Sequence, residues 1–209
     1  MTGVVSVEAD GAAAARAALD RTIGGGGVAV FPADTLYGLA CDPLNAAAVA
    51  RIHSLKGRDD GKPSAVLYFA PLAMRELVAS IGPRTLDAVS ALLPGPVTLV
   101  VANPERRYPL ACRDHPERLG VRLITDSPLG GLMRPLFQTS ANQSGEPAPA
   151  RFEQVSSEIV AGTDLAIDGG ELRGVPSTVV DITGIESGGE WELLREGAIS
   201  ADQVAQALS

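Results

Sequence analysis

The chain has 209 residues, 45% of them hydrophobic, and a formal net charge of −8. This length can bury a hydrophobic core of ordinary size, so we expect one globular domain. The negative charge argues against broad electrostatic binding of nucleic acid, which needs a basic surface, but it is compatible with a local basic pocket.

Two features of the sequence bear on where the protein works. Cys41 and Cys112 are far apart, and neither has a second cysteine nearby, so they predict neither a disulfide framework nor a zinc site. The first twenty residues carry acids where a signal peptide would carry positive charge, and no apolar run approaches the ~20 residues of a membrane span. We therefore expect a soluble, cytoplasmic protein without a membrane partner.

Strands and helices alternate in the first half of the chain, and hairpin character follows. The strands are predicted at residues 4–7, 28–31, 65–69, 97–101, 120–124, near 137, at 165–167, and as a hairpin of 178–181 with 191–194. Helices are predicted from an Asp10 cap to about Ile23, from an Asn45 cap to Leu55, at 71–81, at 84–93, and after a capping box at Ser200–Gln203. The pattern predicts an α/β fold: a mixed β-sheet covered by helices.

Residues 31–43, FPADTLYGLACDP, place Asp34, Thr35 and Tyr37 directly after an apolar strand. Polar side chains at such a position either close a turn or face a ligand. Spacing alone leaves both interpretations open.

Three cations, Lys56, Arg58 and Lys62, fall within seven residues at the end of the Asn45 helix. The glycines between them are too close together for a nucleotide-binding P-loop, which we reject. The cations could hold a polyphosphate or a carboxylate. They could equally form a solvated helix end that complements the helix dipole.

Ser140, Asn142, Ser144 and Gly145 form a polar, turn-rich segment. These residue types suit either a backbone nest for anions or an ordinary turn. Because the chain has no Ser-x-x-Lys and no Lys-Thr-Gly, the parts of a β-lactamase-type serine nucleophile are missing.

The two histidines have no partner at metal-ligand spacing. His53 is predicted on the Asn45 helix and His115 in a loop. We expect each to pack against its own element or to face water.

Seven segments together resemble the YrdC-like family of threonylcarbamoyl-AMP synthases, in its short single-domain form. In order, they are FPADTLYGLACDP (31–43), RIHSLKGR (51–58), LPGPVTLV (93–100), GVRL (120–123), TSANQSGEP (139–147), PSTVVD (176–181) and LLREG (193–197). The resemblance implies a single YrdC/RibB-like domain over residues 1–209, with its core at about 8–200 and no separate C-terminal domain. It also implies a twisted mixed sheet with a concave active-site cleft.

The resemblance also implies roles for individual residues. Thr35 would contact the amino acid, and Tyr37 and Gly38 would shape the turn beside it. The implied catalytic residues are Lys56 and Arg58; the threonine-side residues are Thr35, Tyr37, Ser177 and Thr178; the nucleotide-binding residues are Lys56, Arg58, Ser140, Asn142, Ser144 and Arg195.

The family's reaction makes threonylcarbamoyl-AMP and pyrophosphate from L-threonine, bicarbonate and ATP. The resemblance therefore implies Mg²⁺ carried by ATP with no metal ligand from the protein, and no organic cofactor. A partner complex would transfer the product to tRNA to form threonylcarbamoyladenosine, and direct tRNA binding by this chain would be weak or absent. The reaction needs charge neutralisation and alignment rather than a protein nucleophile.

Two segments depart from the family's pattern. Ala33 stands where threonine is common, and residues 124–127, Ile-Thr-Asp-Ser, replace the usual continuation after Arg122. We expect these departures to affect the preference for the amino acid more than nucleotide binding. Two other functions stay open: a double-stranded RNA or tRNA-binding module without synthase activity, and a carbamoyl-transfer relative.

Overall fold

The computed structural model describes residues 2–57 and 63–209. Within these ranges, ten strands form one sheet. The strands are Gly3–Ser6 (β1), Ala29–Pro32 (β2), Tyr37–Cys41 (β3), Ala65–Tyr68 (β4), Val97–Ala102 (β5), Arg118–Leu123 (β6), Leu136–Ser140 (β7), Leu165–Asp168 (β8), Thr178–Asp181 (β9) and Glu192–Arg195 (β10). The α-helices are Val7–Asp10 (α1), Ala12–Gly24 (α2), Ala46–Leu55 (α3), Arg75–Val78 (α4), Pro83–Leu92 (α5), Pro109–Cys112 (α6), Ser157–Ala161 (α7) and Ala201–Ala207 (α8).

The sheet mixes parallel and antiparallel pairs, as predicted. Its spatial order is β1-β8-β2-β3-β7-β4-β6-β5-β9-β10. The pairs β1/β8, β2/β8, β4/β6 and β5/β9 are parallel. The pairs β2/β3, β3/β7, β4/β7, β5/β6 and β9/β10 are antiparallel. The polar segments that follow β2 and β7 therefore meet near the middle of the sheet.

Two hydrophobic cores lie on the two faces of the sheet. The first core lies under α3, α5 and α8, and it includes Ile52, Leu92 and Val204 from these helices. The second core lies under α2, whose Leu19 and Ile23 belong to it. Alternate residues of one strand belong to different cores, as the two-residue period of a strand requires.

The second core covers only part of its face. Strands β2, β4 and β8 contribute Phe31, Leu67 and Ile167 to it, whereas neither β5 nor β6 contributes a residue. Strands β5, β6 and β9 therefore expose this face to the space beside α2. The candidate site lies in that space.

Local capping signals correctly predicted where α3 and α8 begin. The Asn45 side chain accepts a hydrogen bond from Ala48 N at the start of α3, and Ser200 and Gln203 form the predicted capping box of α8. The Asp10 cap was wrong, because Asp10 lies inside α1 and α2 begins after Gly11. The helix predicted at 71–81 is a 3-10 turn at Pro71–Met74 followed by the short α4.

The largest correction concerns Tyr37 and Gly38, which were expected to shape a turn. They begin β3, a fully buried strand that pairs with β2 and β7. The turn is shorter and lies at residues 33–36, where Ala33 N donates to Leu36 O.

None of the helices in the described ranges combines the length and the apolar character that are needed to span a bilayer.

Candidate active site

A cavity of about 800 Å³ opens on the uncovered part of the sheet. Its floor consists of alternate residues of neighbouring strands, including Ala65 of β4, Thr98 of β5, Gly120 of β6 and Val179 of β9. Leu99, Leu119 and Val121 point the other way and belong to the first core. The cavity is thus a direct product of the strand period and of the limited reach of α2.

Three arginines line the cavity: Arg118 and Arg122 from β6 and Arg195 from β10. No Asp or Glu side chain is among the described residues that line it. In a chain of net charge −8, this concentration of positive charge indicates a site for an anionic ligand.

The surroundings of the three guanidinium groups differ. Arg118 forms an ion pair with Asp181, and Arg122 Nη2 lies 2.5 Å from Asp34 Oδ1. Arg195 Nη2 donates to Ser177 O at 2.7 Å, and no ion pair to Arg195 occurs in the described part of the chain. Arg195 therefore has the charge with the least local compensation.

Burial lowers the pKa of Arg122 from its ordinary value, although the Asp34 carboxylate opposes this effect. Burial also lowers the pKa of Arg195, and the positive charge of Arg122 adds to it. Both guanidinium groups thus lie where a positive charge is unfavourable. An anion between them would relieve that cost.

Arg118 and Arg122 are not among the site residues predicted from the sequence. A signal for them exists, because Arg118, Gly120 and Arg122 alternate with Leu119 and Val121 in β6. Such alternation puts both arginines on one face of the strand. Glycine between them leaves the floor open.

A second hollow, of about 770 Å³, lies between α5, residues 185–191 and the end of α8. Its lining carries both signs of charge, in Arg84, Asp87 and Glu190. None of the predicted site residues that the structure describes lines it. The cavity on β6 is therefore the candidate site.

Lys56 is buried, with 2% of its surface exposed, so the interpretation as a solvated helix end was wrong for this residue. Its Nζ donates to Ser140 O at 2.5 Å and to Asn142 O at 2.8 Å. Its own carbonyl accepts from Ser144 N at 2.9 Å. Lys56 thus holds the segment that follows β7, and it is not among the described residues that line the cavity. Arg58 and Lys62 lie outside the described residues.

The 140–146 segment is a turn in which the Asn142 side-chain amide donates its hydrogen bonds within the segment itself. Asn142 Nδ2 donates to Gln143 O at 2.8 Å and to Glu146 O at 2.7 Å. Gly145 has φ +90°, the left-handed conformation expected of a glycine in this segment. Ser140 lines the cavity, whereas Asn142 and Ser144 are not among its described lining residues.

Thr35 and Tyr37 both line the cavity, but the tyrosine hydroxyl has other partners. It donates to Gly170 O at 2.7 Å and accepts from Gly169 N at 3.0 Å. Burial raises the pKa of Tyr37 to about 12. The hydroxyl therefore joins β3 to the turn after β8, and Thr35 is the hydroxyl of this segment that lines the cavity.

Ser177 and Thr178 take different positions although they are adjacent. Ser177 lines the cavity, and its Oγ lies 2.9 Å from Thr98 Oγ1. Thr178 is fully buried; its Oγ1 donates to Ile199 O at 2.6 Å and accepts from Gly197 N at 3.1 Å. Thr178 thus fixes the chain after β10 and is not among the described lining residues.

Of the two departures from the family's pattern, Ala33 and the first residue of the 124–127 segment lie in the second core. Ala33 and Ile124 are 4% and 3% exposed and pack there with Phe31. Neither is among the described residues that line the cavity. The sequence comparison suggested that Ala33 removes a hydroxyl from the wall of the site. Because Ala33 does not line the cavity, the cavity wall is not changed at this position.

His53 packs edge-to-face against Phe137, with ring centroids 5.8 Å apart, whereas the exposed His115 is one of the residues that line the cavity. The described residues contain no cluster of three or more His, Cys, Asp or Glu side chains able to hold a metal ion.

Comparison with protein families gives a match between residues 21–197 and the Sua5_yciO_yrdC model, which carries the description "Telomere recombination". A threonylcarbamoyl-AMP synthase of Pyrococcus abyssi is 31% identical over 195 residues, covering 88% of this chain and 54% of that protein. One of Thiobacillus denitrificans is 34% identical over 162 residues, covering 75% of this chain and 85% of that protein.

Among solved structures, the crystal structure of P. abyssi Sua5 complexed with L-threonine matches with a TM-score of 0.80 and 29% identity. The match covers 99% of this chain and 60% of that one. This chain therefore spans little more than half of the length of the P. abyssi proteins.

Proposed function

The chain belongs to the Sua5/YciO/YrdC family, and from this we propose that it is a threonylcarbamoyl-AMP synthase. It would join L-threonine, bicarbonate and ATP into threonylcarbamoyl-AMP and release pyrophosphate. This reaction makes it a nucleotidyltransferase. Its product would pass to the complex that modifies tRNA.

The observation that carries the proposal is the set of Arg118, Arg122 and Arg195 around a cavity whose described lining holds no carboxylate. ATP and the threonine carboxylate are both anionic, so the electrostatic repulsion between them has to be compensated by positive charge. Guanidinium groups held on two strands supply that compensation without reorganisation. A cavity of about 800 Å³ falls within the range of small-molecule sites.

In the proposed reaction, the threonine amine captures carbon dioxide derived from bicarbonate and becomes a carbamate. A carbamate oxygen then attacks the α-phosphorus of ATP, and pyrophosphate leaves with the electron pair of the broken P–O bond. The arginines hold the two anions in line, and Ser140, Ser177 and Thr35 offer hydroxyls around them.

Two further parts of the proposal concern Mg²⁺ and the remaining basic residues. Mg²⁺ would enter with the phosphates of ATP, and we assign no step to it. Lys56 would act by holding the segment of Ser140 and Asn142. Arg58 stays a proposed phosphate ligand on the resemblance alone.

The test is pyrophosphate release by the purified chain with ATP, Mg²⁺, L-threonine and bicarbonate. We expect release to require both threonine and bicarbonate, and each other amino acid to be a poorer substrate. Release that is independent of threonine would refute the proposal. Release that requires carbamoyl phosphate instead would point to the carbamoyl-transfer function.

A further inference from the structure

The ion pair between Asp34 and Arg122 is the most enclosed pair of charges at the cavity. The Arg122 side chain is 4% exposed and the Asp34 side chain 12% exposed. The pair joins the turn after β2 to the middle of β6, across 88 positions of sequence. It therefore connects two walls of the site.

The guanidinium of Arg122 has donors that the protein does not use. An arginine offers five N–H donors, and among the described residues Arg122 donates only through Nη2 to Asp34. Its Nε is buried without a described partner, although the residue lines the cavity. A buried cation with unused donors beside a cavity suits an anionic ligand that accepts from it.

Stability alone is a poor reason for such a pair. When two charges are removed from water, the loss of hydration free energy is about as large as the gain from their attraction. Replacing such a pair by apolar residues of similar volume therefore often leaves the stability unchanged. A pair that leaves most N–H donors of its arginine without an acceptor contributes even less to stability. The geometry favours a role in the site.

We propose that Asp34 is a positioning residue, whose carboxylate fixes the Arg122 guanidinium so that its remaining donors meet an anionic group of the bound substrate. This inference rests on the proposed function for the identity of the substrate. The anionic group is either the carboxylate of the amino acid or a phosphate of ATP. Asp34 acts through Arg122 and does not contact the ligand.

A double-mutant cycle tests this proposal. The four proteins are the wild type, Asp34→Asn, Arg122→Met and the double variant, each measured for kcat and for KM with threonine and with ATP. We expect Asp34→Asn to lower kcat/KM for one substrate about 10- to 100-fold, as the loss of a charge-assisted hydrogen bond would. The substrate affected identifies the anionic group.

The decisive quantity is additivity. If Asp34 acts through Arg122, the double variant is no worse than Arg122→Met alone. If the losses of the two single variants multiply, Asp34 acts by another route, such as holding Thr35, and the proposal is overturned. The matched control is Asp20→Asn, which breaks the surface pair of Asp20 with Arg134 and should leave all constants unchanged.

Two measurements separate this proposal from folding defects and from the proposed function. Thermal unfolding of the four proteins identifies a variant that fails to fold, and the double variant, which removes both buried charges, should unfold near the wild-type temperature. Calorimetric titration with threonine and with ATP gives the dissociation constants of the four proteins, from which the same double-mutant cycle is calculated. A wild type that binds either ligand without releasing pyrophosphate refutes only the synthase, whereas one that binds neither overturns both proposals.

Discussion

Lys56 influences the candidate site through the 140–146 segment, because its ammonium group is bound to carbonyls of that segment. We predict that Lys56→Ala lowers turnover about 100-fold, because a displacement of about 1 Å in a segment that positions the substrate can cost this much. It should also lower the free energy of unfolding by about 2 kcal/mol, since two half-buried carbonyls lose a charged donor. Steady-state kinetics and chemical denaturation measure the two effects.

The control for Lys56 is Arg51→Ala on the same helix. Arg51 pairs with Asp164 at the surface, where an ion pair contributes about 1 kcal/mol or less, and it lies outside the cavity lining. Its turnover should stay normal. A stable Lys56→Ala protein with unchanged turnover would show that the segment holds its shape without the lysine.

The Tyr37 hydroxyl belongs to the fold rather than to the substrate. Tyr37→Phe removes its hydrogen bonds to Gly169 and Gly170, so we predict a loss of about 1 kcal/mol in the free energy of unfolding. The KM values for threonine and ATP should change less than about threefold. A large change in either KM with unchanged stability would place the hydroxyl at the ligand after all.

At the scale of elements, β6 determines the floor of the cavity, and Gly120 is the position at which the floor can be filled. A Cβ at Gly120 would lie 3.4 Å from Ala65 Cα, an ordinary contact, so the strand can carry a side chain there. We predict that Gly120→Val keeps its melting temperature, because branched residues suit strands. Its methyl groups would enter the cavity, so ATP affinity should fall at least tenfold in titration calorimetry.

Gly120→Ala is the graded control for this prediction, since it adds one methyl group and should weaken ATP binding less. Equal affinity in the wild type and in Gly120→Val would mean that the ligand does not use this part of the cavity. A fall in melting temperature would instead indicate that the strand cannot accept the branch.

Helices with local capping signals and strands with a clear apolar run were predicted from the sequence, whereas one strand, β3, was not. The caps at Asn45 and Ser200 are formed by residues three positions away, so sequence alone places α3 and α8. Strand β3 was missed because Tyr37–Cys41 is a strand only through its pairing with β2 and β7. The ion pair between Arg122 and Asp34 likewise joins residues 88 positions apart, so no local signal predicts it.

The same distinction applies to the predicted site. Five of the residues named by the resemblance line one cavity: Thr35, Tyr37, Ser140, Ser177 and Arg195. The resemblance could not separate residues that line the cavity from those that support it, such as Thr178. That separation depends on side-chain direction, which a motif does not specify.

At the scale of the whole molecule, the negative net charge and the arginine-lined cavity favour small anions over nucleic acid. A phosphate backbone gains affinity from an extended basic surface, and a chain with net charge −8 offers little of it. We predict weak binding of tRNA or double-stranded RNA that falls steeply between low and physiological salt. Fluorescence anisotropy with labelled RNA across a salt series measures it.

Turnover provides the second half of this last prediction, because the adenylate is formed before any tRNA is engaged in the proposed reaction. Pyrophosphate yield should be the same with and without added tRNA. The Arg118→Gln variant, which removes a cation at the cavity, should lose pyrophosphate release more than it loses any RNA affinity. Tight RNA binding that survives physiological salt, together with no turnover, would instead favour the RNA-binding module, since the cavity arginines would then serve a polyanion.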